Sequence, residues 1–171
     1  MLELLASEFR PMLQTAFALL VCLAALLWGR GPERAIAITW LVLFEAALHL
    51  RPILFAEGFR VTGVDLLLAS VDALAVVIFI LIALNANRIY PLCIAAAQIL
   101  AVAAHLARGM IEAISPIAYA IMVIGPGWFQ LMFFAAGLAR HITRERRFGR
   151  YRDWRIPPAV PSAVPLGARG S

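Results

Sequence analysis

The sequence predicts an all-α fold, a polytopic membrane helix bundle of about five transmembrane helices, and three observations carry that expectation. The 171 residues are 63% hydrophobic with a mean hydropathy of +0.88, whereas a soluble domain is about 45–50% apolar. Too little polar surface is left to coat a globule in water, and disorder is excluded because it needs low hydrophobicity. Apolar runs close to the ~20 residues that cross a ~30 Å hydrocarbon core recur along the chain. The runs are also punctuated alike, with Pro at a first helical position and Gly or Asn just past the last.

The first helix is expected over 11–28, stopping at Gly29. Glu3 and Glu8 offset Arg10 ahead of it and no small-x-small cleavage pattern follows, so it reads as a retained helix rather than a signal peptide. The second opens at Pro32 and runs to about Leu50, before Arg51-Pro52. The third covers 63–84, with Thr62-x-x-Asp65 as a capping box. The fourth covers 91–108, from Pro91 to Arg108-Gly109. Ser115 caps a fifth, 116–140, which Gly125-Pro126-Gly127 interrupts. Residues 128–140 alone would reach only ~20 Å, so one kinked helix is expected; the alternative is four spans plus a re-entrant or kinked segment around 115–140. Residues 1–140 then form the bundle and 141–155 a basic juxtamembrane segment. Residues 156–171, with Pro157, Pro158, Pro161 and Pro165, form a disordered tail.

All fifteen basic residues are Arg, and the formal net charge is +5. Residues 140–155 hold seven Arg and two acids, so the whole surplus belongs to that segment and the remaining eight Arg balance eight acids. The positive-inside rule then makes the C-terminus cytoplasmic and the N-terminus external, with a bacterial inner membrane as the expected location. Arg144, Arg146, Arg147, Arg150, Arg152 and Arg155 interleave with Phe148, Tyr151 and Trp154, a pattern suited to anionic lipid headgroups. Nucleic acid is not expected, since no recognised binding motif accompanies the charge. Other membrane subunits or further copies of the chain are the remaining partner classes. Cys22 and Cys93 lie within apolar runs and read as packing residues.

Ionisable groups within spans are costly and are the default functional candidates. Taking each span's midpoint as the bilayer centre puts Glu45, Asp72, Gln98 and Gln130 within about a turn of one plane, with His49 and His105 nearer the outer leaflet. Every Arg falls at a span end or in a loop. A deep carboxylate without a cation at its depth is expected to hold a proton or bind a cation. Polar glue between helices is one reading of this layer. A proton or cation path through Asp72 and Glu45, relayed outward by His49 and His105, is a second. A haem b held by His49 and His105, or a metal ion held by Glu45, His49, Asp72 and His105, is a third. Ala46-Ala47-Leu48-His49-Leu50-Arg51 also resembles Ala103-Ala104-His105-Leu106-Ala107-Arg108, a likeness that a duplicated hairpin would give but that the abundance of Ala and Leu explains more simply.

The chain has no Gly-rich phosphate loop, nucleophile elbow, His-Glu-x-x-His or Cys-x-x-Cys, so soluble catalysis is not expected. The expected role is an accessory or ligand- and partner-binding membrane protein with a buried polar layer. A small proton- or cation-coupled transporter using Asp72 and Glu45 is the alternative. An electron-transfer subunit using His49 and His105 is the second alternative.

Overall fold

A computed structural model describes residues 9–47, 60–61, 64–110 and 116–155. Among these, five helices form an all-helical bundle, with one two-residue β-ladder ahead of the third. The elements in order are α1 (Phe9–Trp28), α2 (Gly31–Thr39) running on into a π-helical turn (Trp40–Glu45), β1 (Arg60–Val61), β2 (Val64–Asp65), α3 (Leu66–Asn85), α4 (Tyr90–Met110) and α5 (Pro116–Phe148). Two stretches, Leu67–Asn85 and Tyr90–Met110, are long and apolar enough to cross a membrane, with hydropathies of 2.8 and 1.7; Met12–Trp28 is a shorter apolar stretch.

Helix α4 is the centre of the bundle, packed on one side by α3 and on the other by α5, while α1 lies against α2 and α5. Small side chains allow this closeness. Ala18, Cys22 and Ala25, spaced four and three apart on α1, are fully or almost fully buried, as are Ala95, Ala101 and Ala104 on α4. Phe79, Phe134, Ile36, Ile94 and Leu131 fill the space between the helices. The outward faces are apolar too: Leu20, Leu23, Leu27, Val77, Leu81, Leu84, Leu100 and Leu106 are all exposed.

Three local features differ from the sequence expectation. Asp65 belongs to β2, opposite Arg60 in an antiparallel register that also pairs Val61 with Val64, and α3 begins only at Leu66. The expected capping box over a helix from 63 is therefore corrected: β-branched Val61 and Val64 favour extended backbone, and Thr62 lies outside the described residues. The second helix does not run regularly toward Leu50. Thr39 Oγ1 donates back to the Ala35 carbonyl at 2.8 Å, a bond that loosens a helix, and the next turn widens so that the Ala46 N–H reaches the Leu41 carbonyl. His49 lies outside the described residues.

The third difference is at the basic end. Helix α5 passes through Pro126 as one helix and continues beyond Arg140 to Phe148, since 141–148 holds neither Pro nor Gly and places Glu145 one turn after His141. At 33 residues it is about 50 Å long. It stops at Gly149, whose φ of 74° is a left-handed conformation that costs glycine nothing. The chain then doubles back. Asn87 N–H donates to the Asp153 carbonyl at 3.1 Å and Arg155 N–H to the Asn85 carbonyl at 2.7 Å, while Ala86 pairs with Trp154 as an isolated antiparallel bridge.

Candidate functional site

Asp72 is the only ionisable residue in α3, a helix otherwise built of Leu, Ile, Val, Ala and Phe with one Ser and a terminal Asn. Both its carboxylate oxygens are engaged by α4. Gln98 Nε2 donates to Oδ1 at 2.7 Å, and His105 Nε2 lies 2.8 Å from Oδ2. Gln98 Nε2 also donates to the Asp72 main-chain carbonyl at 3.2 Å. Gln130 of α5 then donates through Nε2 to Gln98 Oε1 at 2.5 Å. Gln98 and Gln130 are each 1% exposed and His105 5%. Four polar side chains from three helices thus form one continuous hydrogen-bonded chain inside an apolar bundle.

Of the residues nominated from sequence, Asp72, Gln98, Gln130 and His105 are brought together. The sequence expectation set His105 in a separate, outer layer. With α3 beginning at Leu66, Asp72 falls in its second turn, level with the next-to-last turn of the antiparallel α4, where His105 sits. Glu45 closes the half-buried π-helical turn after α2. Among the described residues, no three His, Cys, Asp or Glu side chains gather as a metal site. The six tail arginines, Arg144, Arg146, Arg147, Arg150, Arg152 and Arg155, are exposed. The aromatics between them are not all free to enter a lipid surface. Tyr151 lies under Arg88 and Arg144, 5.1 and 4.4 Å from its ring centre, and Trp154 covers Gly31. Only Phe148 stands well clear of the protein, at 80% exposure.

A second polar centre, absent from the sequence expectations, lies at this basic end. Glu33, in the first turn of α2, is fully buried. It accepts from Arg88 Nη1, from the Tyr90 hydroxyl at 2.8 Å and from the Arg30 main-chain N–H at 3.2 Å. Arg88 also holds Asp153 Oδ1 at 2.9 Å, and Arg30 holds Glu145 at 2.7 Å. The topology offered the missing signal: α2 begins, α3 ends, α4 begins and α5 ends on one side, so Glu33, Arg88 and Glu145 had to meet there. Arg34 and Arg150 line an open cleft of about 350 Å³ beside them.

His141, just past the residues expected to span, is 2% exposed, with Nδ1 2.7 Å from the Tyr151 hydroxyl and Nε2 3.3 Å from Glu145. Burial first, then the neighbouring Arg88 guanidinium, holds its imidazole below the ordinary His range, against the opposing pull of Glu145 and Asp153. The native state therefore binds fewer protons than the unfolded chain just below the ordinary value of ~6.5. Stability contributed by neutral His141 is present above that value and falls away as the pH drops through it. The thermal midpoint of the purified protein is expected to decline between pH 7.5 and 5, and His141→Gln to flatten that decline. A slope unchanged by the substitution would rule His141 out as its source.

No protein-family model, curated protein or solved structure matches the chain.

Proposed function

We propose that the chain is a small multi-pass integral membrane protein of the bacterial inner-membrane type, and that Asp72 and His105 form a proton-holding pair coupled to movement of a small solute or ion. The observation that carries this is the carboxylate–imidazole contact of 2.8 Å, largely enclosed between the two helices long and apolar enough to cross a membrane. A carboxylate and an imidazole that share one proton are neutral overall whichever of them holds it, so the proton can pass between them without opening a net charge to hydrocarbon.

Several features support the membrane reading. Large apolar side chains stand exposed along the outward faces of α1, α3 and α4, and contiguous exposed apolar surface marks a lipid or partner interface. Helix α5, at about 50 Å, has length to cross and to project its arginines beyond the headgroups. The positive-inside rule assigns that arginine-bearing end, with the buried Glu33–Arg88 pair, to the cytoplasm. Asp72 and His105 then stand nearer the opposite side.

Reconstitution into proteoliposomes with an internal pH dye tests the reading. Wild-type protein is expected to dissipate an imposed pH gradient, and Asp72→Asn to reduce the rate at least tenfold while shifting stability by only about 1 kcal/mol, the scale of an interhelical hydrogen bond in a membrane. His105→Gln, which keeps a hydrogen-bonding group but cannot carry the proton, is expected to act in the same direction. Equal rates for wild type and Asp72→Asn sink the proposal. The polar chain would then serve as interhelical glue within an accessory, partner-binding protein.

A further inference from the structure

The hydrogen bonds of the polar chain all run one way. Gln98 donates from Nε2 to two acceptors on Asp72, the carboxylate and the main-chain carbonyl. That fixes its carboxamide, because a flipped amide would set Oε1 against the carbonyl. Gln98 Oε1 is thereby committed to the Gln130 N–H, and Gln130 is left presenting its own Oε1. That oxygen is buried and has no hydrogen-bond partner among the described residues. Every donor points toward Asp72, so each bond polarises the next and the terminal oxygen carries the negative end of the chain. A buried acceptor left without a donor costs about 1–3 kcal/mol, which makes it a place where a ligand with N–H or O–H groups is favoured.

A second acceptor lies on the same face. Gln130 leans back over the preceding turn, as helical side chains do, toward Pro126, which is buried within α5. Pro126 has no N–H, so the Met122 carbonyl loses its i+4 donor. Met122, Pro126 and Gln130 are spaced by four and share one face of the helix. Beside this turn the Gln14 carboxamide of α1 fills the place a side chain would take at Gly127, its Nε2 2.9 Å from where a Cβ would stand.

We infer that Gln130 Oε1 and the Met122 carbonyl seat a small N–H-bearing cation, ammonium or a primary alkylammonium. The inference rests on the proton-coupled reading above and names its solute class. The seat offers acceptors and a negative polarisation, which select positive charge. It offers too few oxygens for a bare metal ion, since hard cations such as Ca²⁺ take six to eight. An ammonium group instead uses directional N–H donors and can turn an alkyl group toward apolar walls. Irregular helix backbone lining an ion site is a recurrent membrane-transport solution to the same problem.

Equilibrium binding of radiolabelled methylammonium to the full chain in nanodiscs tests this. Saturable binding is expected, displaced by ammonium but not by equal sodium or potassium. Gln130→Leu is expected to weaken it about tenfold, the scale of one lost hydrogen bond to a charged group. Pro126→Ala returns an N–H to the Met122 carbonyl and should weaken binding without lowering the thermal midpoint, so the test does not depend on Gln130→Leu folding. Wild-type protein that dissipates a pH gradient through Asp72 yet binds no methylammonium overturns the inference and leaves the proton-coupled reading standing, with water as the occupant of the seat. Displacement by sodium or potassium as readily as by ammonium also overturns it, as does Pro126→Ala binding methylammonium at wild-type affinity.

Discussion

Replacing Arg88 with Met is expected to destabilise the protein by about 3–5 kcal/mol, the cost of removing one partner from a buried ion pair. The Arg88 side chain is 6% exposed and that of Glu33 fully buried, so Glu33 would keep only the Tyr90 hydroxyl and the Arg30 N–H. At about 2–4 °C per kcal/mol for a chain of this size, the thermal midpoint should fall on the order of 10 °C. The double variant Glu33→Gln/Arg88→Met should recover more than half of that loss, because no uncompensated charge then remains inside. Asp153 would also lose its cation, and 149–155, held down by Arg88 and the Asn85–Asn87 backbone, should be clipped faster in limited proteolysis. A midpoint within about 2 °C of wild type would show the pair to be idle.

The two polar centres differ in how far the sequence reveals them. Asp72, Gln98 and Gln130 stand out because each interrupts an apolar run, and antiparallel helices of similar length put mid-helix residues at similar depth. The partnership of Asp72 with His105 is hidden because it depends on where α3 begins. Val61 and Val64 draw Arg60–Val61 and Val64–Asp65 into a β-ladder, and the later start of α3 brings Asp72 level with His105. Glu33 and Arg88 are hidden for a different reason. Each sits at a helix end, where a charge looks solvated, and 55 residues separate them. Their burial follows from the return of the chain after Gly149, which lays Tyr151, Asp153 and Trp154 over a surface that local pattern marks as open. A Gly directly after the last helical residue, followed by Tyr and Trp rather than more charge alone, was the available hint.

Gly137→Ala is expected to cost about 2–3 kcal/mol, at the upper end of what an added methyl costs in a packed core. The Tyr90 ring lies flat against Gly137, and a Cβ there would overlap the base of the ring rather than a flexible tip. Relief requires α4 and α5 to separate or Tyr90 to swing away, and the second route surrenders the hydroxyl bond to Glu33. The consequence reaches the other polar centre through register. Gln98 lies two turns beyond Tyr90 and Gln130 two turns before Gly137, so one antiparallel alignment sets both the ring–glycine contact and the 2.5 Å amide bond. Widening the first lengthens the second. The variant should therefore lower the thermal midpoint and also slow Asp72-dependent dissipation of a pH gradient, although Gly137 touches none of the four residues in the Asp72 chain. Tyr90→Ala in the same background removes the overlap and should return the proton rate toward wild type, while stability stays low because Glu33 lacks its hydroxyl partner. Recovery of stability without recovery of the rate would mean that the close approach at Gly137 does not govern the Gln98–Gln130 spacing.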